Sequence, residues 1–170
     1  MIRRLTADGV MENINGLCTL LSDSVDSGVS IGFLPPLDPI EALAYWDSVR
    51  LAVHDGSRIL LAALNGGEVS GSVQLDLCMW ADGRHRAEVM KLMVLRTARR
   101  KGLGTALMAA AEETALAEGR SLLMVDTCKG DPTEAVYRGA GYQVAGEIPG
   151  YARCADGELR SGVLFYKLIE

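Results

Sequence analysis

The chain has 170 residues, 49% of them apolar, with 17 Lys plus Arg against 22 Asp plus Glu and a formal net charge of −5. That apolar content supports a sizeable core and excludes global disorder, and the length predicts one domain over residues 1–170. The acidic balance speaks against a nucleic-acid partner, which would need surplus cations for phosphate, and no apolar run nears the ~18 residues of a membrane span.

Residues 2–5 read as a short opening strand. Arg3 and Arg4 are followed by Asp8 and Glu12 rather than an apolar stretch. No secretory signal is therefore expected, and a cytoplasmic location is. From 6 to 26 apolar residues recur at helical spacing (Val10, Ile14, Leu17, Leu21, Val25), which predicts one helix closed by Gly28. Pro35-Pro36 keeps 28–37 a loop. Asp38-Pro39 is an N-cap followed by a first-turn proline, and it opens a second helix to about His54.

A hairpin follows. Residues 58–64 are densely apolar, 69–79 alternate, and Asn65-Gly66-Gly67 turns between them, with Asn-Gly supplying the positive φ. After Ala81-Asp82-Gly83 comes a strand at 88–95, apolar on both faces near its end, as in a sheet covered on both sides. Residues 104–118 form a helix ended by Gly119, and 121–127 a buried strand. Asp131-Pro132 repeats the cap-and-proline signal and opens a short helix to about 140. Gly141-Tyr142 leads into a strand through 146. Asp156-Gly157 marks a last hairpin, returned by 161–169.

The fold class expected is α/β, a single mixed central sheet of about seven strands flanked by four helices. Residues 88–127 form its one parallel strand–helix–strand crossover. Cys18, Cys78, Cys128 and Cys154 have no CxxC spacing, and only His54 and His85 could join them. No metal site is expected, and the cysteines read as small buried hydrophobes of a reducing compartment. The final hairpin or an edge strand leaves a homodimer open.

The most informative segment runs from Leu92 to Thr105. A strand enters a loop carrying Arg96, Arg99, Arg100 and Lys101, and Gly102 and Gly104 open a helix. A helix start offers unpaired amides and a partial positive charge, and glycine lets an anion approach the backbone. The combination reads as a phosphate cradle. A Walker loop is excluded, because no Gly-Lys-Ser/Thr exists. A dinucleotide fingerprint fits poorly, since Leu107 fills the third, small-residue slot, although Asp126 stands where a ribose-binding acid would. Gly28-Val29-Ser30-Ile31-Gly32 matches a nucleophile-elbow pattern, but it follows a helix and leads into Pro35-Pro36 instead of joining strand to helix.

Arg99-x-x-Gly102-x-Gly104 after a Leu-x-Val strand end resembles the acetyl-CoA signature of the GNAT family of N-acetyltransferases, and Tyr137-x-x-x-Gly141-Tyr142 resembles its second motif. The element order is similar over nearly the whole chain. Gly28 to Phe33, Arg86 to Val89, Asp126-Thr127 and Gly146 to Tyr151 resemble the tabtoxin-resistance type of these enzymes. The resemblance implies acetyl-CoA as cosubstrate and, as acceptor, the amine of a small molecule such as a β-lactam amino-acid toxin. Alternatives are a peptide or protein acceptor and a non-catalytic acyl-CoA-binding domain. The implied cofactor contacts are Leu92, Met93, Val94, Arg99, Arg100, Lys101, Gly102, Leu103, Gly104 and Thr105, with the parallel pair splayed beside them and the Val94 N–H facing the thioester carbonyl. Many family members carry an asparagine at the start of the tyrosine-bearing helix. Here Lys129-Gly130-Asp131-Pro132 occupies that region, leaving Asp131 either a cofactor contact or a cap.

Acetyl transfer to an amine needs a proton acceptor, a donor to the carbonyl oxygen and an acid for the leaving thiolate. Glu88, an acid in an apolar strand, and Asp126, at the carboxyl end of the neighbouring strand, are the candidate bases, acting directly or through a water. Strand alternation puts Glu88 on the side that Val94 addresses. Tyr137, mid-helix, is the candidate acid, with an ordinary phenol pKa near ~10. The 28–37 loop and the 150–160 hairpin are expected to form the acceptor pocket, with Phe33, Trp46 and Tyr151 as walls.

Overall fold

A computed structural model describes residues 1–170. Its strands are β1 (Ile2–Leu5), β2 (Arg58–Asn65), β3 (Glu68–Leu77), β4 (Arg86–Val94), β5 (Leu122–Cys128), β6 (Gln143–Arg153) and β7 (Leu159–Leu168). Its helices are α1 (Ala7–Glu12), α2 (Ile14–Asp26), α3 (Pro39–Asp55), α4 (Leu103–Ala117) and α5 (Thr133–Gly139). The strands form one seven-stranded sheet in the order β1-β2-β3-β4-β5-β7-β6. Only β4 and β5 run parallel; every other neighbour is antiparallel. The expected α/β class and its single parallel crossover are what the structure shows. No helix is long and apolar enough to cross a membrane.

Local chemistry accounts for most element ends. Asp38 accepts from the Ile40 amide at 2.7 Å, Pro39 fills the first turn, and Gly56 closes α3 in the left-handed region. Two differences have physical causes. The expected helix over 6–26 is two helices, so five helices flank the sheet. Asn13 leaves helical geometry, and its side-chain amide donates to the Gly9 carbonyl at 2.8 Å, competing with the helical ladder. Val10 and Ile14 keep the same spacing across the break, so periodicity reads through it. In the first hairpin Asn65 pairs with Glu68, which makes Gly66 and Gly67 the central residues with positive φ rather than Asn65-Gly66.

Both sheet faces are covered. Ile59, Leu61, Val73, Leu75, Leu123 and Phe165 pack with Leu107 and Met108 of α4. Leu60, Ala62 and Met93 pack with Leu17, Leu21 and Trp46 of α2 and α3. That is why 58–64 is apolar without alternation.

The feature that shapes the site is a bulge in β4. Gln74 pairs with Met90 but Ser72 pairs with Met93, so Val73 faces two residues, Lys91 and Leu92. Ala87 and Val89 point to the α4 face before the bulge, and Leu92 and Val94 do so after it. Glu88 therefore lies on the α3 face with Asp76, its partner in register, and opposite Val94. The expectation that Glu88 and Val94 share a face fails, because one extra residue reverses the alternation.

Candidate active site

Beyond residue 88 the two parallel strands part. Their pairing stops at Glu88↔Met124. The Leu95 amide donates to the Ser70 carbonyl at 3.0 Å, and bonded and non-bonded pairs alternate along an antiparallel ladder. The Gly71↔Val94 pair is thus non-bonded, and the Val94 N–H points away from β3 into the gap. α4 and α5 flank this gap as a cleft of about 440 Å³, lined by Leu92, Met93, Val94, Arg99, Arg100, Gly102, Leu103, Gly104 and Thr105 on one side and by Asp131, Thr133 and Val136 on the other.

The amides of residues 100–105 donate to no acceptor within the protein. Arg100 (φ 60°) and Gly102 (φ 78°) are left-handed, which curls successive N–H groups toward one side, and α4 follows with 15 residues of aligned peptide dipoles. Unpaired N–H groups and a helix start thus face the cleft together. The four loop cations have separate tasks. Arg96 pairs with Asp23 of α2 at 2.6 Å. Arg99 donates to the Val94 carbonyl at 2.9 Å and to the Ser27 hydroxyl at 2.7 Å, tying the end of β4 to the end of α2. Lys101 donates its ammonium to the Thr97 carbonyl at 3.1 Å, so its side chain turns from the cleft while its amide stays in the unpaired run. Its position three residues after the 3-10 turn Arg96–Ala98 directs its ammonium back onto that turn. Arg100 is left without a partner.

A second pocket, about 330 Å³, shares Val29, Leu92 and Thr133 with the cleft. It is lined by Glu88, Lys91, Asp126, Tyr137 and Tyr151. Glu88 and Met124 are neighbours in register, and Asp126 lies two residues on along the same face of β5. Burial first, then the charges of Asp126 and Asp76, push the Glu88 carboxyl above the ordinary carboxylate range. The Tyr137 side chain is buried, which raises its phenol well above the ordinary ~10 expected for it, with the Thr133 hydroxyl in reach as an opposing hydrogen bond. Tyr151 comes from a bulged stretch of β6 and crosses β7 to lie beside Asp126, whose charge, followed by burial, raises its phenol. Gly162 permits that crossing, because a Cβ there would sit 2.4 Å from the Tyr151 ring.

A third space, about 250 Å³, continues from Val29, Ser30 and Gly32 to Phe33, Pro35, Ala152 and Cys154. The 28–37 loop and the 150–160 hairpin thus meet around these pockets. Phe33 and Tyr151 are walls. Trp46 is not: it is wholly buried under α3, edge-on to Tyr45 at 5.1 Å, because its position on α3 faces the sheet. The cysteines are free, but only Cys128 is buried; the other three are half-exposed.

Two contributions lay beyond sequence reasoning: the reach of Asp131 to the 28–30 loop, beyond its expected cap, and Lys91 as a pocket residue. Asp131 accepts from the Thr133 amide at 2.9 Å and hydroxyl at 2.7 Å, and from the Ser30 amide at 3.2 Å. It caps α5 and ties the 28–30 loop to it. Asp131→Ala should lower stability by about 1–2 kcal/mol, read in urea melts. Lys91 has a left-handed φ of 51° at the bulge, visible only once the register of β3 and β4 is known.

The family model for the acetyltransferase (GNAT) family matches residues 29–142. The fold is similar to that of ribosomal-protein-alanine N-acetyltransferase from Brucella melitensis, with TM-score 0.80, 20% identity and 99% of each chain covered. It is similar to yncA from Salmonella typhimurium, solved with its cofactor acetyl-CoA, at TM-score 0.79 and 16% identity over 100% of this chain and 94% of that one. An aminoglycoside 6'-acetyltransferase type Ii superposes at TM-score 0.73 and 19% identity, covering 100% of this chain and 97% of that one. At these identities the likeness is one of fold.

Proposed function

The chain belongs to the GNAT family of acetyltransferases, and from that membership we propose that it moves the acetyl group of acetyl-CoA to the primary amine of a small molecule, by direct attack in a ternary complex. The observation that carries this reading is the run of unpaired amides at 100–105 on the rim of the cleft that ends at the Val94 N–H. A diphosphate fits the amides, and the gap between β4 and β5 leads from them to Val94. When bound, acetyl-CoA supplies an acetyl group activated as a thioester.

Each pocket residue then has a task. Glu88 and Asp126, directly or through a water, take the proton that the acceptor amine must lose. The Val94 amide donates to the carbonyl oxygen as negative charge grows there. Tyr137 donates to the sulfur as the carbon–sulfur bond breaks. Among small amines, the sequence resemblance favours a β-lactam amino acid such as tabtoxinine-β-lactam. Two of the four segments that carry that resemblance, 28–33 and 146–151, contribute Val29, Ser30, Gly32, Phe33 and Tyr151 to the pockets. Pockets of about 330 and 250 Å³ suit such an acceptor better than a polypeptide.

The decisive assay offers acetyl-CoA with a panel of amines, including a β-lactam amino acid, polyamines and common amino acids, and reads free thiol. Coenzyme binding without thiol release from any amine overturns acetyl transfer. Glu88 also predicts a pH signature. A base works ionised, so kcat/KM should rise with pH along a limb displaced above the ordinary carboxylate range, and Glu88→Gln should remove that limb and slow the reaction ~10²-fold. The sign for stability is opposite. A carboxyl raised in the folded state loses stability as pH climbs from its ordinary pKa through the raised one. Glu88→Gln should thus melt higher than wild type at neutral pH and no higher in acid.

A further inference from the structure

Lys91 is the pocket residue that the reaction leaves unused. The β4 bulge holds it at φ 51°, a conformation uncommon for a residue bearing a Cβ, and turns its side chain to the α3 face. There its ammonium stands 5.9 Å from the Phe33 ring centroid and 5.8 Å from that of Tyr45. Gly32 leaves it room, since a Cβ at 32 would lie 3.4 Å from Nζ. It makes no hydrogen bond within the protein, and no carboxylate oxygen lies within 4.0 Å of it. Asp76, on the same face beside Glu88, is already taken by Arg58 at 2.7 Å. Burial, then the charge of Arg58, lowers the Lys91 pKa, while Asp126 and Glu88 oppose that shift.

A half-buried ammonium that opens on the pocket without a protein acceptor suits an anionic group of a ligand. It borders the same pocket as Glu88 and Asp126. A cation and an acid pair lining one cavity complement a molecule that bears both an anionic group and an amine. We propose that Lys91 binds a carboxylate of the acceptor, so that the substrate class is amino acids rather than simple amines or polyamines. This deepens the acetyl-transfer reading and rests on it. Phe33 and Tyr45 hold the ammonium in place by their ring faces, and the bulge sets its direction; neither needs the acceptor to be present.

The test compares matched pairs: L-methionine with 3-(methylthio)propylamine, L-lysine with cadaverine, and L-phenylalanine with phenethylamine. In the best-used pair, the wild type should favour the carboxylated member at least 30-fold in kcat/KM. Lys91→Met should cut that preference to under threefold, chiefly through KM of the amino acid, with the KM for acetyl-CoA unchanged. Lys91→Arg should keep most of it. An equal preference in the wild type, or a preference that survives Lys91→Met, overturns the proposal. A second readout does not need turnover. Calorimetry should show N-acetyl-L-methionine binding more tightly than N-[3-(methylthio)propyl]acetamide, a difference lost in Lys91→Met. If no amine is acetylated, the acetyl-transfer reading fails by itself, and equal binding of the two acetamides refutes the role of Lys91.

Discussion

Gly104→Val should weaken acetyl-CoA binding at least ~100-fold, about 2.7 kcal/mol, and leave the fold intact. Gly104 is in the first turn of α4 with ordinary helical backbone, and a Cβ built on it comes no closer than 4.0 Å to anything, the nearest atoms being those of Val136 on α5. The backbone accepts a Cβ there without strain, and only the Val136 side chain of α5 borders the added methyls. Valine also carries a smaller helix penalty than glycine, so the thermal midpoint should hold or rise. The branched side chain would instead fill the cleft between α4 and α5, where the cradle amides point. Gly102→Val is the less informative change: at φ 78° any side chain adds about 1–3 kcal/mol of strain, so lost binding and lost stability would arrive together. Calorimetric titration with acetyl-CoA alongside a thermal melt decides the matter. A Gly104→Val protein that binds acetyl-CoA as tightly as the wild type refutes the cradle. Wild-type affinity should also fall as salt rises, as expected for a diphosphate held by exposed amides and Arg100.

The loop geometry at 99–105 was legible in the sequence because its causes are local. A left-handed glycine before a helix, a cluster of cations and an apolar strand end are set by residues within one turn of one another. The same holds for the Asp38-Pro39 start of α3 and for the hairpins. What was not legible depends on partners distant in the chain. The β4 bulge is a mismatch between two strands, and no residue of β4 announces it. That single mismatch sets Glu88 opposite Val94 and delivers Lys91 to the pocket. Trp46 shows the same limit: periodicity cannot say which side of α3 meets the sheet, and the packing of α2 against α3 buries it. Lys101 differs again, since its position fitted but its side chain turned to the Thr97 carbonyl.

The hydroxyl of Tyr137 should account for a larger share of the rate than any other single atom of the pocket. Tyr137→Phe should lower kcat by ~10²–10³, with little change in the KM for acetyl-CoA. The ring would stay where it is, tilted on Tyr142 at 6.1 Å and on Phe165 at 5.8 Å. Burial keeps the phenol protonated across the working pH range, and thus always in the donating form. A phenol raised so far would be a weak acid toward a thiolate in water. The leaving sulfur, however, develops its charge in the same desolvated pocket, which raises the thiol as well and narrows the gap. Tyr142→Phe is the matched control. Its ring belongs to the same core cluster, its buried hydroxyl faces the Glu112 carboxyl, and it lines neither pocket. It should therefore keep kcat, because the hydroxyl it loses faces Glu112 and not the pocket. Equal losses in the two variants would mean that ring packing, not proton donation, is what the reaction requires of Tyr137. A loss confined to Tyr137→Phe, with an unchanged melt, assigns the donor.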